Sequence, residues 1–211
     1  MVAQLTVRWT TLFLAAATAY AEILSFGLKA GTPATDAFHA ASRGDLRYFS
    51  RTKPVTAGPA LEVHLPHRTG IEVNLLYRRL NYDGFLGAFY PTRASQWEFP
   101  ILLTHRLTGG PVRPYLAAGL SFDRLSGIKQ VINCATLSSS CRGGETDTPA
   151  ELRKRSTAGL ILGGGLELKT PVVRVSAELR YTRRGSAHFQ DTGGLLRSNQ
   201  NQVELLAGIM F

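Results

Sequence analysis

The sequence predicts an all-β protein, an eight-stranded antiparallel up-and-down transmembrane β-barrel, from three observations. Apolar and polar residues alternate with a period of two in eight segments. Each segment is about as long as the 9 to 11 residues that a tilted strand needs to cross a bilayer. After residue 21, no apolar run approaches the roughly 20 residues of a membrane-spanning helix.

The N-terminus has the pattern of an export signal, assigned to residues 1–21. Arg8 gives a positively charged start, Leu12 to Ala17 an apolar centre, and Ala19-Tyr20-Ala21 a cleavage site of the small-x-small type. A retained membrane helix is the alternative, but the apolar run is short and no stop-transfer pattern follows it. Cleavage would leave residues 22–211 as one outer-membrane β-barrel domain.

The connections between the eight segments alternate in length. The predicted strands are Glu22 to Gly31, Val55 to Leu65, Gly70 to Leu80, Gln96 to Leu107, Val112 to Arg124, Arg155 to Leu168, Val172 to Arg183 and Asn199 to Phe211. Three connections are short turns, whereas those at 32–54, 81–95, 125–154 and 184–198 are far longer than ordinary hairpin loops. Short turns at one rim and long loops at the other are typical of bacterial outer-membrane barrels, with the short side in the periplasm.

The alternating residue types indicate which face meets lipid. In the seventh segment Val175 and Leu179 share one face, and Arg174, Glu178 and Arg180 share the other. A soluble barrel or sandwich would expose the charged face to water, whereas a membrane barrel turns it into the lumen. The balance of seven acids with seven bases, and recurring glycines, favour a narrow lumen. The predicted lumen network is Lys29, Glu62, Glu72, Arg78, Glu98, Arg106, Arg113, Asp123, Arg155, Glu167, Arg174, Glu178, Arg180 and Glu204.

Aromatic residues on the apolar face favour the same orientation. Tyr77, Trp97, Phe122 and Tyr181 all fall near the long-loop ends of their strands. Membrane barrels carry an aromatic girdle at the level of the lipid headgroups, and a soluble core would not sort aromatic residues by height. We therefore predict that these four residues form that girdle.

Three stretches resemble the outer-membrane β-barrel domain family, which includes PorT-like and OmpA-like eight-stranded barrels. They are Trp97 to Leu103, Arg113 to Gly119 and the closing Val203 to Phe211. The resemblance covers the whole mature chain and implies a barrel without specifying an activity. The terminal Phe211 resembles the signal read by the barrel-assembly machinery, which becomes an expected partner. OmpA-like proteins often add a peptidoglycan-binding domain, which is not expected here because the sequence stops at the last strand.

The two cysteines, Cys134 and Cys141, lie in one loop rich in serine and glycine. In an exported protein a local disulfide is favoured over a metal pair, which would need further ligands nearby. Two free thiols are the alternative. The five histidines are scattered without metal-ligand spacing, so no metal site and no cofactor are predicted.

The long loops carry most of the excess positive charge. Removing the signal would change the net charge from +9 to +8, since it takes away Arg8 alone. A basic loop patch is predicted at Arg43, Arg47, Arg51 and Lys53. Such a patch favours outer-membrane lipids, lipopolysaccharide or surface glycans as partners. A merely solvated loop surface is the alternative, and no nucleic-acid partner is expected because no basic groove with interleaved aromatic residues is visible.

The resulting functional prediction is a monomeric, non-enzymatic outer-membrane protein with a structural, adhesive or envelope-stabilising role. A small-solute channel is one alternative. A lipid A-modifying enzyme is another; Ser186, His188 and Asp191 lie close together in the sequence, but they match no family motif and are interpreted as ordinary loop residues. A soluble ligand-binding barrel would require an apolar interior and a polar exterior, the inverse of the faces inferred above.

Overall fold

The computed structural model of the chain describes residues 23–86, 88–134 and 143–211. All regular secondary structure in these ranges is β. The strands are β1 (Leu24–Pro33), β2 (Phe38–Ala40), β3 (Ser42–Arg43), β4 (Leu46–Ser50), β5 (Thr56–Leu65), β6 (Thr69–Asn74), β7 (Leu76–Phe85), β8 (Ala88–Arg106), β9 (Val112–Cys134), β10 (Gly144–Thr146), β11 (Ser156–Lys169), β12 (Arg174–Arg184), β13 (Leu196–Ser198) and β14 (Asn201–Met210). In the described ranges, no helix is both long and apolar enough to cross a membrane. The predicted signal at residues 1–21 lies outside them.

Eight strands close into an antiparallel barrel, which confirms the predicted fold class. Around the ring the order is β1, β5, β6 with β7, β8, β9, β11, β12 and β14. The ring closes between the first and last strands, where Lys29 of β1 lies opposite Gly208 of β14. β6 and β7 form one barrel strand, interrupted at Leu75, whose N–H donates to the Pro59 carbonyl at 3.0 Å.

The outer wall of the barrel is apolar and the interior is polar. On β8, Trp97, Ile101 and Leu103 point outward and are exposed, whereas Glu98 and Arg106 point inward and are buried. Outward apolar residues of β9 extend from position 112 to position 122. That span covers about 25 Å of height at the usual rise and tilt of barrel strands. The wall thus carries a belt as tall as the hydrocarbon core that a membrane barrel must match.

Two of the predicted long loops are in large part strands, so those boundaries were wrong. The segment predicted as the loop 81–95 is a hairpin in which the ladder of β7 and β8 continues to Phe85 opposite Phe89. β9 likewise continues to Cys134. In these extensions apolar and polar residues still alternate, but the faces are exchanged. Leu80 and Tyr82 point inward, while charged residues point outward. Because outward apolar residues defined the predicted strands, the predicted strands end too early.

Above the apolar belt, the extended strands and two loops enclose a small hydrophobic core, which we call the cap. Its buried residues are Ala37, Phe38, Tyr48, Leu80, Tyr82, Ala94, Leu125, Ile128, Phe189 and Leu196. β2 of the first loop pairs with β13 of the fourth, so the two loops fold together over the barrel mouth. A bulge at Gly127, where φ is +57°, offsets β9 against β8 at this level.

Candidate functional site in the lumen and cap

Charged side chains fill the lumen in three layers, of which the first lies near the short-turn rim. Arg106 Nη2 donates to Glu62 Oε1 at 2.8 Å and to Glu167 Oε2 at 2.9 Å. Arg174 Nη1 donates to Glu62 Oε2 at 2.8 Å and to Glu167 Oε2 at 3.0 Å. Two guanidinium groups thus share two carboxylates, and all four side chains are almost completely removed from solvent. Each charge is paired, which is the condition under which burial is tolerated.

The middle layer is organised around Glu178. Its Oε2 accepts a hydrogen bond from Lys29 Nζ at 2.7 Å and one from Tyr115 Oη at 3.1 Å. Its Oε1 accepts a hydrogen bond from Arg180 Nε at 2.8 Å. Lys29 Nζ also donates to Glu72 Oε1 at 2.6 Å. Two cations and two carboxylates therefore neutralise one another at this height.

The third layer lies below the cap and adds amide side chains to the ion pairs. Arg78 donates to Glu204 Oε1 at 3.1 Å and, through Nη2, to Gln202 Oε1 at 2.7 Å. Arg184 Nη2 donates to Glu98 Oε2 at 3.0 Å. Arg184 Nε donates to the Asp123 carboxylate. The amide oxygens of the glutamines accept hydrogen bonds from guanidinium N–H groups that have no carboxylate partner.

The layers leave almost no free space. A cavity of about 10 Å³ lies between the first and middle layers, bordered by Lys29, Glu62, Glu72 and Arg174 among others. Such a volume holds about one water molecule. At this height the lumen is therefore a packed interior and not a channel.

A carboxylate also ties the cap together. Glu151 Oε1 accepts a hydrogen bond from Tyr48 Oη at 3.0 Å, and its Oε2 lies 3.5 Å from Tyr82 Oη. Burial first, and then the nearby Glu151 carboxylate, raise the pKa of Tyr48 and of Tyr82 above the usual tyrosine value. Both phenols therefore stay protonated and keep donating. This contact joins the first and third long loops and β7.

The structure places twelve of the fourteen predicted network residues in the three layers. Arg113 lies at the short-turn rim, where its Nη1 is 3.8 Å from Glu167 Oε1. Arg155 is a correction: it precedes β11, is exposed and donates to the Asp147 carbonyl at 3.1 Å. The Arg155 carbonyl still accepts a hydrogen bond from the Leu125 N–H at 2.7 Å, but the chain bends here before β11 begins, and the side chain reaches water and Asp147 instead of the lumen.

The predicted lumen network omitted Arg184 and two glutamines, Gln96 and Gln202. Arg184 was assigned to the fourth loop, although it continues the inward spacing of Arg174 and Arg180 along β12. This spacing by an even number of residues is the sequence signal that places Arg184 in the lumen. The glutamines are buried on inward positions and carry no charge, so a search for charged residues could not find them.

The predicted girdle residues lie on the outer wall. The rings of Tyr77 and Trp97 are 4.9 Å apart between centroids, on neighbouring strands. Phe122 and Tyr181 are also exposed on the outer wall. At the opposite rim, the Phe211 ring lies 6.0 Å from that of Phe26.

The predicted basic loop patch is divided between different surroundings. Arg43 and Arg47 lie exposed on the hairpin of β3 and β4. Arg51 Nε pairs with Asp83 Oδ2 at 2.7 Å. Lys53 lines a pocket with two arginines of the barrel wall. The four residues thus have different surroundings, and one common patch stays a prediction.

The residues considered for catalysis are not joined to one another. His188 is buried, with Nδ1 2.9 Å from the Lys154 carbonyl and Nε2 3.4 Å from Thr157 Oγ1. The Asp191 carboxylate accepts hydrogen bonds from the backbone N–H groups of Gly193 and Leu196. Within the described ranges, no hydrogen bond links Ser186 to either residue. Burial lowers the pKa of His188 below its usual value.

Two further predictions concern ligands and covalent links. In the described parts of the chain, no group of three or more His, Cys, Asp or Glu residues could hold a metal ion. The predicted disulfide involves Cys134 and Cys141, and Cys141 lies outside the described residues.

The closed ring, the apolar outer belt and the ion-paired interior define an eight-stranded transmembrane β-barrel with a filled lumen. No protein-family model and no curated protein sequence matches the chain. The chain is similar to the solved structure of the outer membrane protein OprG from Pseudomonas aeruginosa, at 13% identity and a TM-score of 0.49, over 90% of this chain and 94% of that one. It is also similar to Neisserial surface protein A, at 14% identity and a TM-score of 0.42, over 89% and 95%.

A third similar structure is Ail, the attachment invasion locus protein of Yersinia pestis, in complex with the heparin analogue sucrose octasulfate. The identity is 13% and the TM-score 0.43, over 90% of this chain and 99% of that one. At these identities the likeness concerns the fold alone. The PorT-like or OmpA-like resemblance of the sequence stays a prediction.

Proposed function

We propose that the chain is a non-conducting integral protein of the bacterial outer membrane, whose barrel anchors a folded cap at the cell surface. Its role is structural, adhesive or envelope-stabilising, and it is not an enzyme. The observation that carries this proposal is the closure of the lumen at several heights. Three ion-paired layers fill the barrel, and an apolar core built around Phe38, Tyr82 and Phe189 covers the mouth.

The outward belt supports the membrane location. Leu116, Leu120 and Leu160 are each about half exposed or more on the outer wall. A soluble barrel would place such residues inside, so the exposure is understandable only where lipid replaces water. The short turns at one rim and the long connections at the other support an orientation with the cap outside the cell.

The cap supports a role in contact with other envelope components. Exposed basic residues, among them Arg43, Arg47 and Arg197, surround its apolar core. Phosphates and carboxylates of outer-leaflet lipids, lipopolysaccharide or surface glycans are the nearest anions that such a surface would meet. The barrel-assembly machinery would act on the chain during insertion, and the inserted protein would be a monomer.

Planar-bilayer recordings of the refolded mature protein test the proposal. A closed lumen predicts no stable conductance, while the same preparation shifts its gel migration on heating and is thereby shown to be folded. Removing Phe189 from the cap should not create a channel, since the charged layers below remain. Stable open-channel currents from the folded wild-type protein would contradict the proposal.

The alternative of a lipid A-modifying enzyme has no geometric support in Ser186, His188 and Asp191. The His188 imidazole faces a backbone carbonyl and a threonine, and the Asp191 carboxylate is used by backbone N–H groups. A nucleophile needs its base within hydrogen-bond reach. Release of fatty acid from lipid A by the purified protein, lost in Ser186→Ala, would revive the enzyme hypothesis.

A further inference from the structure

A basic pocket of about 490 Å³ lies on the outer surface of the wall, above the girdle pair Tyr77 and Trp97. Its positive charges come from Lys53, Arg79 and Arg93. Asn81, Ala94, Ser95 and Gly127 complete the lining. The pocket is made by β7, β8, a bulge of β9 and the chain that leads into β5, so a rigid part of the barrel forms most of it.

The three cations of the pocket have no carboxylate partner in the described residues. Some exposed basic residues on the same side of the molecule are paired, as Lys129 is with Glu145 at 2.8 Å, whereas others such as Arg43 and Arg47 have no carboxylate partner in the described residues. Arg79 Nε donates to Tyr77 Oη at 3.2 Å, which orients the guanidinium along the wall. Three converging positive charges without counter-charges create a local field that attracts anions.

The register of β7 and β8 fixes the height of the pocket. Tyr77 lies opposite Trp97, the next outward pair is Arg79 with Ser95, and Arg93 follows one pair higher. Outward neighbours on one strand are about 7 Å apart. The charges therefore begin within one side-chain row of the aromatic girdle, at the level where lipid headgroups lie.

An apolar groove of about 430 Å³ lies on the wall one side-chain row below Trp97, at the level of the girdle residue Phe122. Phe99, Phe122 and Ala158 line it, and Arg124 stands at its upper end. Arg124 lies opposite Trp97 in the ladder of β8 and β9. The basic pocket and the apolar groove therefore lie on the same part of the wall, with Ser95 of the pocket one outward row above Trp97 and Phe99 of the groove one row below it.

We propose that the basic pocket binds the phosphate of a phosphorylated outer-leaflet lipid, with an acyl chain of the same molecule in the groove. Guanidinium groups bind phosphate oxygens through charge-assisted, often bidentate hydrogen bonds. A soluble phosphate or a sulfated glycan would use the charges but would have no need of the groove. The site rests on the membrane insertion proposed above, and it involves Arg79 and Arg93, which lie outside the predicted loop patch.

Native mass spectrometry of the refolded mature protein in detergent tests the proposal. The probes are diphosphoryl lipid A, the same lipid after removal of its phosphates, and heparin. The pocket variant carries Lys53→Gln, Arg79→Gln and Arg93→Gln. The control variant carries Arg153→Gln, Lys154→Gln and Arg183→Gln, which removes the same charge from exposed positions outside the pocket. Heat-shifted gel migration checks that each preparation is folded, independently of lipid binding.

We expect the wild type and the control variant to bind the phosphorylated lipid within about twofold of each other. The pocket variant should bind it about tenfold more weakly or worse, and so should the wild type with the dephosphorylated lipid. Equal losses in both variants would overturn the proposal, because charge alone would then explain binding. So would equal affinity for both lipids. Wild-type binding to heparin that is lost in the pocket variant, with lipid binding unchanged, would assign the pocket to a glycan instead.

Discussion

Lys29 and Glu178 meet in the middle of the lumen, Nζ to Oε2 at 2.7 Å, although 149 residues separate them in the sequence. β1 and β12 carry them, and β14 lies between these two strands in the wall. The pair joins the beginning of the barrel to its end on the inside. The same carboxylate also binds Arg180, so it neutralises two buried cations.

Glu178→Gln should therefore strongly destabilise the barrel. The amide keeps the shape of the side chain but leaves Lys29 and Arg180 short of one negative charge in a buried layer. We expect the free energy of unfolding to fall by about 3–5 kcal/mol. Urea unfolding in lipid vesicles, followed by tryptophan fluorescence, measures it. The control Glu145→Gln breaks an exposed pair with Lys129 and should cost below about 1 kcal/mol.

Gly119→Ala should impair the contact between β8 and β9. A Cβ atom at this position would overlap the Ile101 carbonyl oxygen and lie 2.9 Å from Leu102 Cα, both backbone atoms that cannot move aside alone. We expect a loss of about 1–3 kcal/mol and a lower yield of heat-modifiable protein on refolding. Gly144→Ala, where the new atom meets open space, should refold like the wild type.

Phe189→Ala should loosen the cap without unfolding the barrel. Phe189 is fully buried and packs edge to face with Phe38 and Tyr82. Removing such a ring from a core lowers the free energy of unfolding by about 3–5 kcal/mol, and here the cap is the part that is destabilised. Limited trypsin digestion should cleave the loops faster while the barrel band persists. The exposed Phe49→Ala should leave the digestion pattern unchanged, and loss of the barrel band in Phe189→Ala would contradict a separate cap.

Acid should weaken the cap through His188. Burial lowers the pKa of this residue from the usual 6.5 in the folded cap. Below pH 6.5 His188 gains a proton in the unfolded cap but not in the folded cap. The contribution of neutral His188 to the stability of the cap is therefore fully present only above that pH. It is lost as the pH falls towards the lowered pKa. The cap's unfolding free energy between about pH 8 and pH 5 should fall less in His188→Gln than in the wild type or in the exposed control His39→Gln. Equal slopes in all three would contradict this role.

Leu116→Arg should test the position of the bilayer. Leu116 points outward in the middle of the apolar belt of β9. An arginine at the bilayer midplane of a membrane barrel costs about 2–4 kcal/mol, and near the interface about 0–1 kcal/mol. Ser126→Arg, above the girdle on the same strand, is the matched control. Equal stability of both variants in lipid vesicles would contradict the proposed membrane level.

The sequence anticipated the barrel and its two faces because strand periodicity is local. Val175 and Leu179 are exposed on the wall, and Glu178 is buried within, as the alternation predicted. The same period of two residues places Arg184 in the lumen, although the predicted seventh strand ends one residue earlier, at Arg183. Information of this kind needs only neighbouring residues, since successive side chains of a strand point to opposite faces.

The amino-acid sequence by itself determined the strand number, the apolar exterior and the presence of balanced charges inside. Only the tertiary structure decided that Lys29 meets Glu178, that Arg155 leaves the lumen for Asp147, and that Arg79 and Arg93 share a pocket with Lys53. Such contacts depend on the register between strands and on the folding of loops over the mouth. Both are set by packing between distant segments, which a period of two residues does not encode.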